Sequence, residues 1–321
     1  MRGNVDYGFV LNVTATSGFR PEARISIAYQ TRRVALGDGT AVELREPQYR
    51  VDKLDGSPLS PDTVLMPRMP PAVQGDGLLE MVPVAELERV ARAEAAGADG
   101  VHGQVAWITT NTAGPVVGRF GWQASEPTVA SQVAVAFARE MGLTNPLESR
   151  DDCAPSNSAC KTALSGGSPE VEAELFDAVV NFQRWHAVPV TKEPDLKAIG
   201  AQLFESTGCA RCHQTTLAID RNTGGNAIIH PFTDLLLHDL GQGLADRTIA
   251  GAVAPSRWRT APLWGMHVVT TQPQRFLHDG RARSIDEAVL WHDGEGGTAR
   301  DRYAKLSGEE RRVLAEWINT L

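Results

Sequence analysis

Residues 209–213 read Cys-Ala-Arg-Cys-His, and this pentapeptide constrains the chain's folding and chemistry more than any other stretch of its 321 residues. Two thiols separated by two residues reach both vinyl groups on one edge of a porphyrin. The histidine that follows is then held beneath the iron as its proximal ligand. C-x-x-C-H is therefore the attachment pattern of a c-type haem. With only four cysteines and eight histidines in the chain, a chance match has odds on the order of one in a thousand. A structural zinc site calls for further Cys or His ligands at recognisable spacing. A thioredoxin-like dithiol calls for a βαβ frame. The helix read before the motif and the loop read after it supply neither, so one covalent haem c on Cys209, Cys212 and His213 is expected.

The second axial ligand is less constrained. Met266 and the histidines at 238, 267, 278 and 292 are all candidates, because His/Met and His/His pairs both occur. His292 has the best position: it ends an amphipathic helix just before Asp293-Gly294-Glu295-Gly296-Gly297, where a side chain can project into a cavity. The other two cysteines, Cys153 and Cys160, lie in a Pro-, Ser- and Asn-rich stretch with enough chain between them to close a disulfide, and are expected to staple a loop.

Around these sites the chain starts extended and turns helical. RISIAYQTRRVAL and TAVELREPQYRV flank Gly37-Asp38-Gly39 and read as a β-hairpin. PLSPDTVLMPRMPPAV is too rich in proline for a helix or a central strand. Helices are then expected over VAELERVARAEAAG and over PTVASQVAVAFAREMG, which has proline in its first turn. A third opens at Ser168-Pro169-Glu170, with Val171, Leu175, Val179 and Phe182 as its buried face, and ends at His186 and Pro189. A fourth, DLKAIGAQLFESTG, runs into the cysteine motif with Ile199, Leu203 and Phe204 on one side. Two last helices carry capping-box spacings at Ser284/Glu287 and Ser307/Glu310. The final one shows a stripe of Val313, Leu314, Trp317, Ile318 and Leu321. The expected fold class is mainly α: a cytochrome c-like C-terminal domain with a β-containing N-terminal region. Its expected boundaries are a β-rich region over 1–83, a helical region over 84–190 and a haem domain over 191–321.

The net charge of −8 argues against a nucleic-acid partner. No run approaches the roughly 18 apolar residues of a membrane span. The start, MRGNVDYGFVLNV, has neither the apolar core nor the cleavage site of a secretion signal. Haem c nevertheless points to the periplasm.

Several blocks together resemble the di-haem oxidoreductase family, relatives of bacterial di-haem cytochrome c peroxidase and of the MauG enzyme. They are GLLEMVP (77–83), GRFGWQA (118–124), GCARCH (208–213), PFTDLLLHDLG (231–241), WRTAPLWG (258–265) and FLHDGRARSIDEAVLWHDGE (276–295), spread over most of residues 60–321. The resemblance implies two cytochrome c-like lobes with a haem in each. In the related peroxidases Met or Tyr at the position of His292 supplies the sixth ligand of the C-terminal haem, so His292 here implies a bis-histidine iron. The resemblance also implies Trp122 between the haems, with Gln132 and Glu140 directed at the peroxide-side iron. Trp122 and Gln132 have the family's ten-residue spacing, and Glu140 falls slightly short of its place. Arg281 and Arg283 are candidates for the haem propionates.

One departure is large: the family's second C-x-x-C-H is missing from the chain. The sequence reads as a family member truncated before Met1, which makes 84–190 the remnant of the N-terminal haem lobe. The functional expectation is a c-type haem protein that carries electrons as part of a peroxidase-like di-haem oxidoreductase, fed by a redox partner protein or a small-molecule donor. The competing expectation is a non-catalytic mono-haem electron-transfer cytochrome. A second haem is expected only in full-length relatives, and no oxygen-rich loop identifies a calcium site.

Overall fold

The computed structural model describes residues 10–11, 13–15, 21–53, 63–109, 114–153, 158–189, 195–221, 225–246, 255–269 and 275–321. The start of the proline-rich stretch and the centre of the Cys153–Cys160 loop lie outside the described residues. The hairpin strands are β1 (Ala23–Ala35) and β2 (Ala41–Lys53). Short helices α1 (Asp76–Glu80) and α2 (Val84–Ala95) follow, then strands β3 (Trp107–Thr109) and β4 (Pro115–Val117). Helix α3 (Val129–Val135) continues as a π-helical turn over Ala136–Glu140, and α4 (Ser158–Lys161) precedes α5 (Ala173–Trp185). Helix α6 (Ile199–Thr207) leads into the cysteine motif. Strands β5 (Leu217–Arg221), β6 (Gly225–Ile229), β7 (Leu237–Asp239) and β8 (Arg257–Arg259) come next. The chain closes with α7 (Met266–Val269), α8 (Ile285–Trp291), α9 (Gly297–Lys305) and α10 (Gly308–Ile318).

Among the described residues the strands pair as four two-stranded sheets, β1–β2, β3–β4, β5–β6 and β7–β8. This corrects the expected mainly α class: with about 36% helix and 19% strand among the described residues the chain is mixed α and β. Three of the pairs are made of strands three to five residues long. Runs that short hardly establish a period of two, so LAIDR after the motif reads as loop although Leu217 and Ile219 alternate inward. No helix among the described residues is long and apolar enough to cross a membrane.

By internal contacts the chain divides into two compact units. The first comprises 1–30, 46–65 and 130–182. There Phe137 packs on Phe176 with ring centroids 6.5 Å apart. Asn145 donates to the Ala134 carbonyl and accepts from the Leu147 and Glu148 N–H groups. Cys153 and Cys160 form the expected disulfide, with Cα atoms 5.8 Å apart. The buried stripe of α5 is shifted by one residue from the expected one. Phe176 and Val180 are buried, while Leu175 is 57% and Phe182 69% exposed. Two stripes with near-identical spacing overlap on this helix, and the packing of Phe137 selects between them.

The second unit comprises 31–45, 66–129 and 183–321. Its principal core joins Phe204 of α6, Phe232, Ile285 of α8, Tyr303 of α9 and Leu314, Trp317 and Ile318 of α10. Ile199, expected on the packed side of α6, is 67% exposed, and the small residues Gly200 and Ala201 take its place against α10. Ser307 and Glu310 complete a reciprocal capping box. Ser284 caps Glu287 N–H, but the Glu287 carboxylate turns to Arg283, so that box is half made. A second core collects Leu36, Leu44, Leu244, Trp258, Leu290 and Trp291. The tip of the hairpin is tied to the C-terminal helices: Gly37 N–H donates to the Ala304 carbonyl, and Arg311 binds Asp38 at 2.7 Å.

Candidate haem-attachment site

Helix α6 delivers the motif because it ends on Gly208, whose φ of 95° is a left-handed conformation that side chains disfavour. A single 3₁₀ turn over Cys209–Arg211 follows, and His213 N–H donates to the Cys209 carbonyl at 3.0 Å. One tight turn thus gathers both sulfurs and the imidazole. The two thiols are free and partly buried. Thr207 Oγ1 lies 3.3 Å from Cys209 Sγ. Burial pushes both thiols up, Cys212 to about 11, so they stay protonated at neutral pH.

His213 has a defined tautomer. Its Nδ1 lies 3.0 Å from the Phe232 carbonyl, and a carbonyl only accepts, so Nδ1 carries the proton. Nε2 keeps its lone pair, the arrangement usual for a metal-binding histidine whose other nitrogen is fixed by an outer partner. Burial pulls His213 down to about 4 and keeps the ring neutral. The carbonyl it uses belongs to a residue with a φ of 53°, left-handed for a phenylalanine, held in a fully buried segment. Phe204 and Phe232 pack edge to face, and Trp317 sits 5.3 Å from Phe204. Together they form an apolar wall beside the imidazole.

His292 closes α8 in a similar state. Its Nδ1 donates to the Ala288 carbonyl at 2.7 Å, leaving the lone pair on Nε2, and burial lowers its pKa. A proton on either ring disfavours one on the other, since His292 also depresses the pKa of His213. The other candidates are engaged differently. His267 donates to the Leu321 carbonyl. His278 stacks on Trp258 at 3.8 Å and is pushed down to about 3 by burial. Met266 is packed in the principal core.

His238 has no lone pair to offer. Its Nε2 is 2.9 Å from Asp234 and its Nδ1 2.8 Å from Glu295. Burial opposes its charge, but Asp234 and Glu295 overcome that and raise its pKa well above the usual range, so it is an imidazolium between carboxylates. Glu295 is lowered to about 2 against its own burial, by His238 and the N–H groups of Asp239 and His102. Glu94 is raised to about 8 by burial and by Asp234. This cluster touches the motif, because His238 Nδ1 lies 3.6 Å from Cys212 Sγ. In the sequence His238 stands only as a candidate iron ligand. The Asp234–His238 spacing of four was the available signal for an ion pair.

The remaining predicted residues lie elsewhere. Trp122 is half-buried against the second core, and its indole N–H donates to the Met69 carbonyl at 2.7 Å. Gln132 is half-buried and Glu140 exposed, both in the first unit. Arg281 is bound to Asp279 and the Gly243 carbonyl, and Arg283 to Glu287 and the Glu43 carbonyl.

The profile of the family described as "Di-haem oxidoreductase, putative peroxidase" matches residues 10–321, nearly the whole chain. The chain belongs to this family. No curated protein and no solved structure matches it. Membership in the di-haem oxidoreductases implies a haem cofactor and haem-based redox function. The donor set fits that group: two reduced thiols and a neutral imidazole with its Nε2 lone pair available, on one turn of chain.

Proposed function

We propose that this di-haem oxidoreductase family member carries one haem c, thioether-bonded through Cys209 and Cys212, with His213 and His292 as its two axial ligands. It would pass single electrons within a peroxidase-like system. The observation that carries this reading is the His213–Phe232 hydrogen bond, which fixes the tautomer that an iron ligand needs. The bound haem supplies a one-electron iron couple, tuned by axial ligands, hydrogen bonding and burial. The chain's own residues do the rest. Burial holds the thiols in the neutral form until they are consumed, Phe232 and Ala288 orient the two imidazoles, and the Phe204–Trp317 wall excludes water.

A haem iron held by both His213 and His292 would have no coordination position left for substrate. This supports an electron-transfer role for the chain with its single C-x-x-C-H. Peroxide chemistry in this reading takes place at a second haem. The electron donor is a redox protein or a small molecule, and the compartment is the periplasm. The reading predicts a low-spin ferric spectrum for the matured protein. In His292→Ala the spectrum should become high-spin and sensitive to added peroxide. An unchanged low-spin spectrum in that variant would remove His292 from the iron.

A further inference from the structure

Beside Cys212 the second unit buries more acid than base. Glu94, in the last turn of α2, is 1% exposed. Its Oε2 accepts one hydrogen bond, from Gly103 N–H at 2.9 Å, and lies 3.9 Å from His238 Nε2. Its Oε1 is buried with no hydrogen-bond partner in the described residues. Gly103 makes the approach possible, since a Cβ there would sit 2.5 Å from Glu94 Oε2 and 2.7 Å from the His238 ring. The facing groups are Asp234 and His238, with Glu295 on the far side of the imidazole and Arg257 3.8 Å from Glu295. The Arg211–Asp99 pair lies on the motif side.

We propose that Glu94 is a redox-linked proton site: it takes up one proton from solvent when the haem joined to Cys212 accepts an electron from a one-electron donor, and releases that proton on oxidation. The inference rests on the covalent haem proposed above.

The other members of the cluster are committed. His238 is fixed between two carboxylates, and Glu295 receives two backbone N–H groups besides the imidazolium. Glu94 has one donor and one bare oxygen, and in its protonated form it gains a hydrogen bond to Asp234. An electron added to the iron adds one negative charge at the other end of a short contact chain, from Cys212 Sγ to His238 to Glu94. In a low-dielectric interior that charge favours a proton on the least compensated carboxyl. The reverse influence is present in the protein, because the Glu94 charge raises the Cys212 thiol.

The test is a potentiometric titration of the matured haem protein at a series of pH values on both sides of about 8, the value to which burial and Asp234 push Glu94 up. The potential is expected to fall as pH rises, with a slope approaching about 59 mV per unit, the equivalent of tenfold for one electron. Glu94→Gln keeps an acceptor for Gly103 N–H and should flatten the slope. A flat wild-type potential, or the same slope in the variant, would overturn the proposal. Should the variant fail to fold, infrared difference spectra of the wild type decide. Reduction must produce a protonated-carboxyl C=O band that shifts in D₂O, and its absence is equally fatal. The mass of the denatured chain is checked first. A chain without covalent haem overturns the haem reading, and this proposal with it; a haem-bearing chain with a flat potential overturns only this one.

Discussion

Replacing His238 with leucine is expected to destabilise the protein by about 3–5 kcal/mol, the usual cost of leaving a buried charge without its partner. The side chains of Asp234 and His238 are almost wholly enclosed, and Glu295 is nearly so. Leucine fills much of the imidazole's space but cancels none of the negative charge. The side chain of Asp234 also holds the local turn through Leu236 N–H, so it cannot leave without disrupting the segment that presents Phe232 to His213. The urea midpoint of the matured protein is the measurement. A loss below about 1 kcal/mol, typical of an exposed ion pair, would mean that the cluster is solvated or that its protons rearrange at little cost.

The second large effect is one of sign. At an open helical position Gly→Ala stabilises by roughly 0.5–1 kcal/mol, because alanine loses less backbone freedom. Gly200→Ala is expected instead to destabilise by about 1–3 kcal/mol. A Cβ at Gly200 would be driven into the Cβ of Trp317, would lie 2.8 Å from its Cγ and would sit 3.0 Å from the Val313 carbonyl oxygen. These atoms belong to the interior of α10 and cannot swing aside. The crossing of α6 on α10 would have to open, and α6 is the element that leads into Cys209. Thermal unfolding of Gly200→Ala beside wild type checks this. A higher midpoint in the variant would show that the two helices do not pack so closely.

The motif and its surroundings were legible in the sequence to different depths. Cys209, Cys212 and His213 are contiguous, so spacing alone predicts their chemistry. The hairpin and α10 are legible because turn residues, a capping pair and a long apolar stripe agree. Helix α5 was legible as a helix but not in its orientation. Leu175 and Phe176, like Val179 and Val180, offer two faces of similar hydrophobicity, and only the distant Phe137 separates them. The π-helical turn over Ala136–Glu140 leaves no mark on composition. The short strand pairs fail for the same reason: β7 and β8 contribute three residues each, and their register is set by long-range pairing such as His238 with Trp258. The buried acid cluster draws Glu94, Asp234 with His238, and Glu295 from three separate stretches of chain. Only the Asp234–His238 pair has a local spacing, so its electrostatics emerge from the fold alone.

The most direct test of the central claim is the mass of the protein, denatured after secretion and maturation and then treated with a thiol-alkylating reagent. The expected mass is that of the chain plus one haem, with Cys209 and Cys212 unmodified by the reagent. A mass equal to the bare chain plus two alkyl groups on these cysteines would contradict it.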